Sequence, residues 1–183
     1  MNDEAMRETF LRGQTLYDGK VVHLEKWDVR LPTGGEAVRE VVKHVGAAAI
    51  VPVDENGNIT LVRQHRVAID EMTWEIPAGK LNFAGEDPLL AAKRELEEET
   101  GLQAETWVLL SKVVTTPGFC TEKISIYMAL GLSQHEMHPD ADEFLSLRKI
   151  PLDDALNEVS LGHFTDLKTI AGILLAARAL EKR

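Results

Sequence analysis

The sequence predicts an α/β fold, a mixed sheet with helices on both faces, preceded by a small antiparallel β-sheet extension. Three observations carry this. From residue 47 onward, apolar runs of strand length alternate with segments of helical periodicity. One of those helices, 88–100, is punctuated at both ends. The first 44 residues carry strand and turn signals, and a three-stranded sheet of that size is too thin to bury both its faces alone. The expected division is an extension, 1–44, serving dimerisation or substrate binding, and a main domain, 45–183.

In order, residues 1–12 are polar with one apolar patch at Phe10 and Leu11, which fits an arm or a frayed helix. Three strands are expected within 15–43, separated by turns at Asp18-Gly19 and Pro32-Thr33-Gly34-Gly35. The apolar runs 47–53 and 59–67 flank Asp54-Glu55-Asn56-Gly57-Asn58, predicting a hairpin. A short strand at 74–76 leads into Pro77-Ala78-Gly79. Asp87 is a candidate N-cap, Pro88 fits the first helical position and Gly101 the position past the end. Strands follow at 107–115 and 123–131, then an acidic, His-containing loop at 133–142 and a strand at 144–150. Helices are expected at 152–159 and 165–180, the second with strong apolar periodicity.

Composition narrows the function. Net charge is 20 − 30 = −10, which argues against a nucleic-acid backbone as partner. It does not exclude an anionic substrate, because a bound cation inverts the local field. Cys120 is the single cysteine, so no intrachain disulfide forms and a reducing compartment is expected. No run approaches the ~18 apolar residues of a membrane span, and residues 1–7 lack the apolar core of a signal peptide. A cytoplasmic protein with no membrane partner is the expectation.

On the helix at 88–100, Leu89, Ala92 and Leu96 share one stripe, and Glu95, Glu98 and Glu99 fall together beside it. Like charges at that spacing repel by about 0.2–0.5 kcal/mol per pair. A divalent cation would offset this, since hard ions take oxygen ligands and substrate phosphates. On charge alone, a solvated acidic face is the better reading, because Glu is a good helix former. The order of residues changes the balance. Arg94-Glu95-Leu96-Glu97-Glu98-Glu99-Thr100-Gly101-Leu102 resembles the second half of the Nudix box, with Glu86 at the family's distance before Arg94 and Gly79 like the opening glycine. The loop between Gly79 and Glu86 is one residue longer than the family pattern.

This resemblance implies a Nudix-type α/β/α sandwich and hydrolysis of nucleoside diphosphate compounds with Mg²⁺ or Mn²⁺. Five further segments resemble the ADP-ribose pyrophosphatase branch: Arg39-Glu40-Val41-Val42, Arg63-Gln64-His65-Arg66, Glu75-Ile76-Pro77-Ala78-Gly79, Pro117-Gly118-Phe119-Cys120-Thr121-Glu122-Lys123, and Lys168-Thr169-Ile170-Ala171-Gly172. By that resemblance Glu95, Glu98 and Glu99, with the Ala78 carbonyl, are the expected metal ligands. Arg94 is expected to hold a helix carboxylate by a bidentate pair, and Glu86 to play a similar structural part or to accept from the loop. Glu143 is the favoured base for the attacking water, with Asp140 and Asp142 as alternatives. Arg39 and Arg66 are expected at the phosphates or terminal ribose, and Glu122 at the terminal ribose. Trp27 is a candidate platform for adenine, although a strand tryptophan is more often core or interface. The resemblance further implies a homodimer in which the N-terminal sheet completes the partner's site.

Other chemistries find little support. His65, His135, His138 and His163 have no zinc-ligand spacing. Cys120 has no apparent partner base, and no GxSxG or Walker pattern occurs. The alternatives to an ADP-ribose hydrolase are a hydrolase of another sugar nucleotide or dinucleotide, a non-catalytic nucleotide sensor, and an acidic interaction protein.

Overall fold

The computed structural model describes residues 3–138 and 144–182. It divides into two compact units, Met1–Val45 with Val114–Lys123, and Gly46–Val113 with Ile124–Arg183. No helix among the described residues is long and apolar enough to cross a membrane.

In the first unit a short 3-10 helix, Asp3–Met6, precedes β1 (Thr9–Asp18), β2 (His23–Arg30) and β3 (Glu36–Lys43). They form an antiparallel sheet in the order β1-β2-β3. The strand begins earlier than the turn signals suggest: residues 9–12 are sheet rather than arm. In β2, Trp27 lies opposite Gly13 of β1 and Arg39 of β3. Phe10, Leu16, Tyr17 and Val38 remain exposed on this sheet. The segment Val114–Lys123 joins the end of β3: the Val42 N–H donates to the Phe119 carbonyl at 2.7 Å and the Thr121 N–H to the Val42 carbonyl at 3.0 Å.

The second unit contains β4 (Ala47–Pro52), β5 (Asn58–Arg66), β6 (Glu71–Glu75), β7 (Ala78–Lys80), α1 (Pro88–Thr100), β8 (Leu102–Val114), β9 (Lys123–Gln134), β10 (Ser146–Pro151), α2 (Leu152–Ser160) and α3 (Leu167–Leu180). One sheet is mixed, β7-β4-β9-β8, with β4 parallel to β9; the other is antiparallel, β10-β5-β6. β4 is apolar without alternation because both its faces are covered. Ala48 and Ile50 point with Tyr127 and Ala129 into a core closed by Ala91, Ala92 and Leu96 of α1. Ala49 and Val51 point with Ile126 and Met128 to the opposite core, which Ala155 of α2 and Ile173 and Ala176 of α3 close. This is the α/β/α layering that the alternation of elements predicts, and β7 is a strand the sequence did not announce.

The hairpin expected over 47–67 does not form. β4 and β5 belong to different sheets, and only a Val53–Ile59 bridge joins them. Asp54 explains the divergence: it accepts from the Asn56 and Asn58 N–H groups at 2.9 and 2.8 Å and pairs with Lys149 at 2.6 Å. The turn is thereby closed on its own side chain, and each strand takes partners elsewhere.

Candidate active site

Helix α1 carries the acidic cluster, and its ends are fixed as the punctuation predicts. Asp87 accepts from the Leu89 N–H at 3.0 Å, and Gly101 has φ 67°, the left-handed conformation that favours glycine. With the ends set, α1 turns Ala91, Ala92 and Leu96 to the sheet, and Glu95 and Glu99 are carried inward with them. They are 8 % and 2 % exposed. Two ionisable groups at that depth need partners.

The partners come from β7 and from Arg94. The Ala78 N–H donates to Glu99 Oε2 at 3.1 Å. Since N–H and C=O of one strand residue point the same way, the Ala78 carbonyl is presented on the Glu99 side. Gly79 lies against Glu95: a Cβ there would fall 2.0 Å from the carboxylate. Arg94 Nη1 bridges Glu95 at 2.6 Å and Glu98 at 2.9 Å, and Nη2 donates to the Lys80 carbonyl at 3.3 Å. Burial would lower the Arg94 pKa, but the charges of Glu95 and Glu98 raise it. Arg94 therefore ties two carboxylates together rather than gripping one with its fork. Glu86 accepts from the Asn82 N–H at 2.5 Å and braces the loop before the helix.

As arranged, no group of three ionisable ligand side chains meets metal-binding spacing among the described residues. Arg94 stands between Glu95 and Glu98, and Glu99 faces β7. The donor set nevertheless fits a hard divalent ion: it consists of oxygens only, two carboxylates are buried, and Gly79 leaves room where a side chain would fill the cradle.

Arg66 sits in the same unit. Its Nε and Nη2 donate to the two oxygens of Glu75 at 2.7 and 2.6 Å. Glu75 also pairs with Lys168 Nζ and accepts from Thr73 Oγ1 at 2.6 Å. Burial pushes the Glu75 carboxyl up, but Arg66, Lys168 and Thr73 outweigh it and hold the pKa at about 2. The Arg66 pKa is raised, chiefly by its hydrogen bond to Glu75 and against burial, with Asp166 and Glu99 adding to the effect. Glu75, Lys168 and Thr169 were visible in the sequence as pieces of motifs, but nothing there joined them. The structure does, since Thr169 Oγ1 accepts from the Ile76 N–H at 2.9 Å.

In the first unit, Trp27 and Arg39 line one cleft of about 350 Å³ with Glu8, Phe10 and the 117–121 segment. Trp27 meets Phe10 edge-on, with ring centroids 5.3 Å apart, carries Lys43 over its ring, and donates to Glu25 at 2.5 Å. The Arg39 fork is taken by both carboxylate oxygens of Glu8. No sequence signal pointed to Glu8, because the pairing spans 31 positions. Glu122 accepts from Thr115 Oγ1 at 2.8 Å and faces His44 Nε2 at 3.6 Å. Glu143, Asp140 and Asp142 lie outside the described residues.

Comparison with known proteins identifies the family and the fold. The family model for the NUDIX domain matches residues 42–170. The chain is 42% identical to an ADP-ribose pyrophosphatase of Mycobacterium tuberculosis, over 90% of this chain and 80% of that one. It is 40% identical to a methanol dehydrogenase activator of Bacillus methanolicus, over 91% and 90% of the two chains. The crystal structure of an ADP compounds hydrolase superposes with a TM-score of 0.84 at 22% identity, covering 97% of this chain and 96% of that one, and so has the same fold. A NUDIX family model that matches residues 42–170, more than half of the chain, and a relative 42% identical over 90% of it place this chain in the Nudix hydrolase family.

Proposed function

We propose that the protein hydrolyses the diphosphate bond of ADP-ribose, or of a closely related nucleoside diphosphate sugar, with Mg²⁺ or Mn²⁺. The observation that carries this reading is the burial of Glu95 and Glu99 on α1 against Ala78 and Gly79. The relatives named ADP-ribose pyrophosphatase support the substrate class.

In this reading Glu95, Glu98, Glu99 and the Ala78 carbonyl hold the metal. When bound, the ion neutralises diphosphate charge and lowers the pKa of a coordinated water. Arg94 sets the carboxylates of Glu95 and Glu98 in register. Glu143 accepts the proton of the attacking water. A new P–O bond forms as the bridging P–O bond breaks, giving AMP and ribose 5-phosphate. Arg66 and Arg39 contact the phosphates, where a planar donor fork suits phosphate oxygens. Trp27 stacks on the adenine, and Glu122 accepts from the hydroxyls of the terminal ribose.

A homodimer goes with this reading, since Phe10, Leu16, Tyr17 and Val38 are exposed on the β1–β3 sheet and gain from cover. The single cysteine suits a reducing, cytoplasmic setting.

A panel of nucleoside diphosphate compounds, incubated with Mg²⁺ in ¹⁸O-water and resolved by chromatography, tests the proposal. ADP-ribose should rank among the fastest substrates, and the label should appear in one product only. No turnover of any sugar nucleotide would refute it.

A further inference from the structure

Glu75 is held by two cations where one would balance it. Arg66 meets both its oxygens, and Lys168 Nζ meets Oε2. The two cations differ in depth: the Arg66 side chain is 43% exposed and that of Lys168 12%. Lys168 is fixed further by Asp166 at 3.0 Å, and Asp166 is itself tied down as the cap of α3, accepting from the Thr169 N–H at 3.0 Å. Arg66, Glu75, Asp166 and Lys168 all line one cavity of about 530 Å³.

We infer that Lys168 is a positioning residue: it keeps Glu75 compensated, so that Arg66 is able to turn its fork from the carboxylate to an incoming diphosphate. This rests on the proposed contact between Arg66 and the substrate phosphates. The physical reason is the cost of an unpaired buried charge. If Arg66 were the only partner of Glu75, its departure would strand a carboxylate that is 2 % exposed, which is strongly unfavourable. Arg66 would then stay where it is. With Lys168 behind it, the carboxylate keeps a cation and Thr73 as donors, and Arg66 exchanges one anionic partner for another. The exposed cation is the movable one, and the buried one remains. Asp166 and Glu99, the other acidic groups that act on Arg66, stay unchanged in this exchange.

The test is steady-state kinetics with ADP-ribose and Mg²⁺ on Lys168→Met and Lys168→Arg, with Arg66→Lys alongside. Lys168→Met should raise KM about tenfold, the equivalent of ~1.4 kcal/mol, with kcat within about twofold, as for a loss of uniform binding. Lys168→Arg should restore the wild-type KM, because only the charge is required. A wild-type KM in Lys168→Met, or an equal rise in Lys168→Arg, overturns the inference. If Arg66→Lys itself leaves KM unchanged, the assignment of Arg66 to substrate fails; if Arg66→Lys raises KM while Lys168→Met does not, only the role of Lys168 fails. Should Lys168→Met not fold, Glu75→Gln/Lys168→Met is compared with Glu75→Gln. Equal KM values support the inference, because Lys168 then has no charge to hold, and a higher KM in the double variant contradicts it.

Discussion

The Cα of Gly79 faces the carboxylate of Glu95 so closely that an added methyl group would lie 2.0 Å from it. The opening glycine of the box is thus a matter of space. Any side chain there displaces a buried carboxylate that Arg94 holds at 2.6 Å. Gly79→Ala should keep the fold, by circular dichroism, and lose about 100-fold in kcat/KM, the scale of a ~1 Å misplacement at a reacting centre.

Metal binding should appear in stability as well as in rate. A ligand that binds only the folded state at about 100 times its Kd adds ~2.7 kcal/mol. For a chain of this size that is a rise of roughly 5 °C or more in melting temperature. Differential scanning fluorimetry with Mg²⁺ should show this rise for the wild type. The double variant Glu95→Gln/Glu99→Gln should show none.

Glu75 sets an acid limit on the fold. Its carboxyl is held at about 2, below the ordinary 4.5. A depressed folded value means that the stabilisation is complete above the unfolded pKa and is lost as pH falls from 4.5 toward 2. Near neutral pH, Glu75→Gln should therefore be less stable by about 2 kcal/mol, the scale of hydrogen bonds to a charged group. The gap between the two proteins should close through that acid window. Urea unfolding at a series of pH values measures it.

Trp27 lines the cleft that also holds Arg39. If adenine stacks there, Trp27→Leu should raise KM for ADP-ribose about tenfold, consistent with ~1–3 kcal/mol for a stacked base. Trp27→Phe should lose less. Isothermal titration with AMP gives an independent reading of the same loss.

How much of this was legible in the sequence follows from the range of the interactions. The α1 helix, its caps and its inward glutamates were readable, because caps and periodicity act within a few residues. The strands of the mixed sheet were readable as apolar runs, but their pairing was not. The turn at 54–58 looked like a hairpin, yet Asp54 closes it locally and sends β4 to β9 and β5 to β10. Strand β7 is only three residues long and carries no apolar run. The distant ion pairs were beyond reach: Glu8 lies 31 positions from Arg39, and Lys168 lies 93 from Glu75. Such pairs are set by topology, which local patterns do not encode. Family motifs marked Glu75 and Lys168 as belonging to the same branch, and only the fold turned them into a contact.

In the proposed mechanism the helix glutamates serve as metal ligands, and Glu98 is the most exposed of the three, with a side chain 36% accessible. Its replacement disturbs the core least, so the kcat of Glu98→Gln for ADP-ribose at saturating Mg²⁺ is the most direct measurement. A fall of about 100-fold or more, as expected for loss of metal-assisted charge stabilisation, is the predicted result. Turnover near that of the wild type would contradict it.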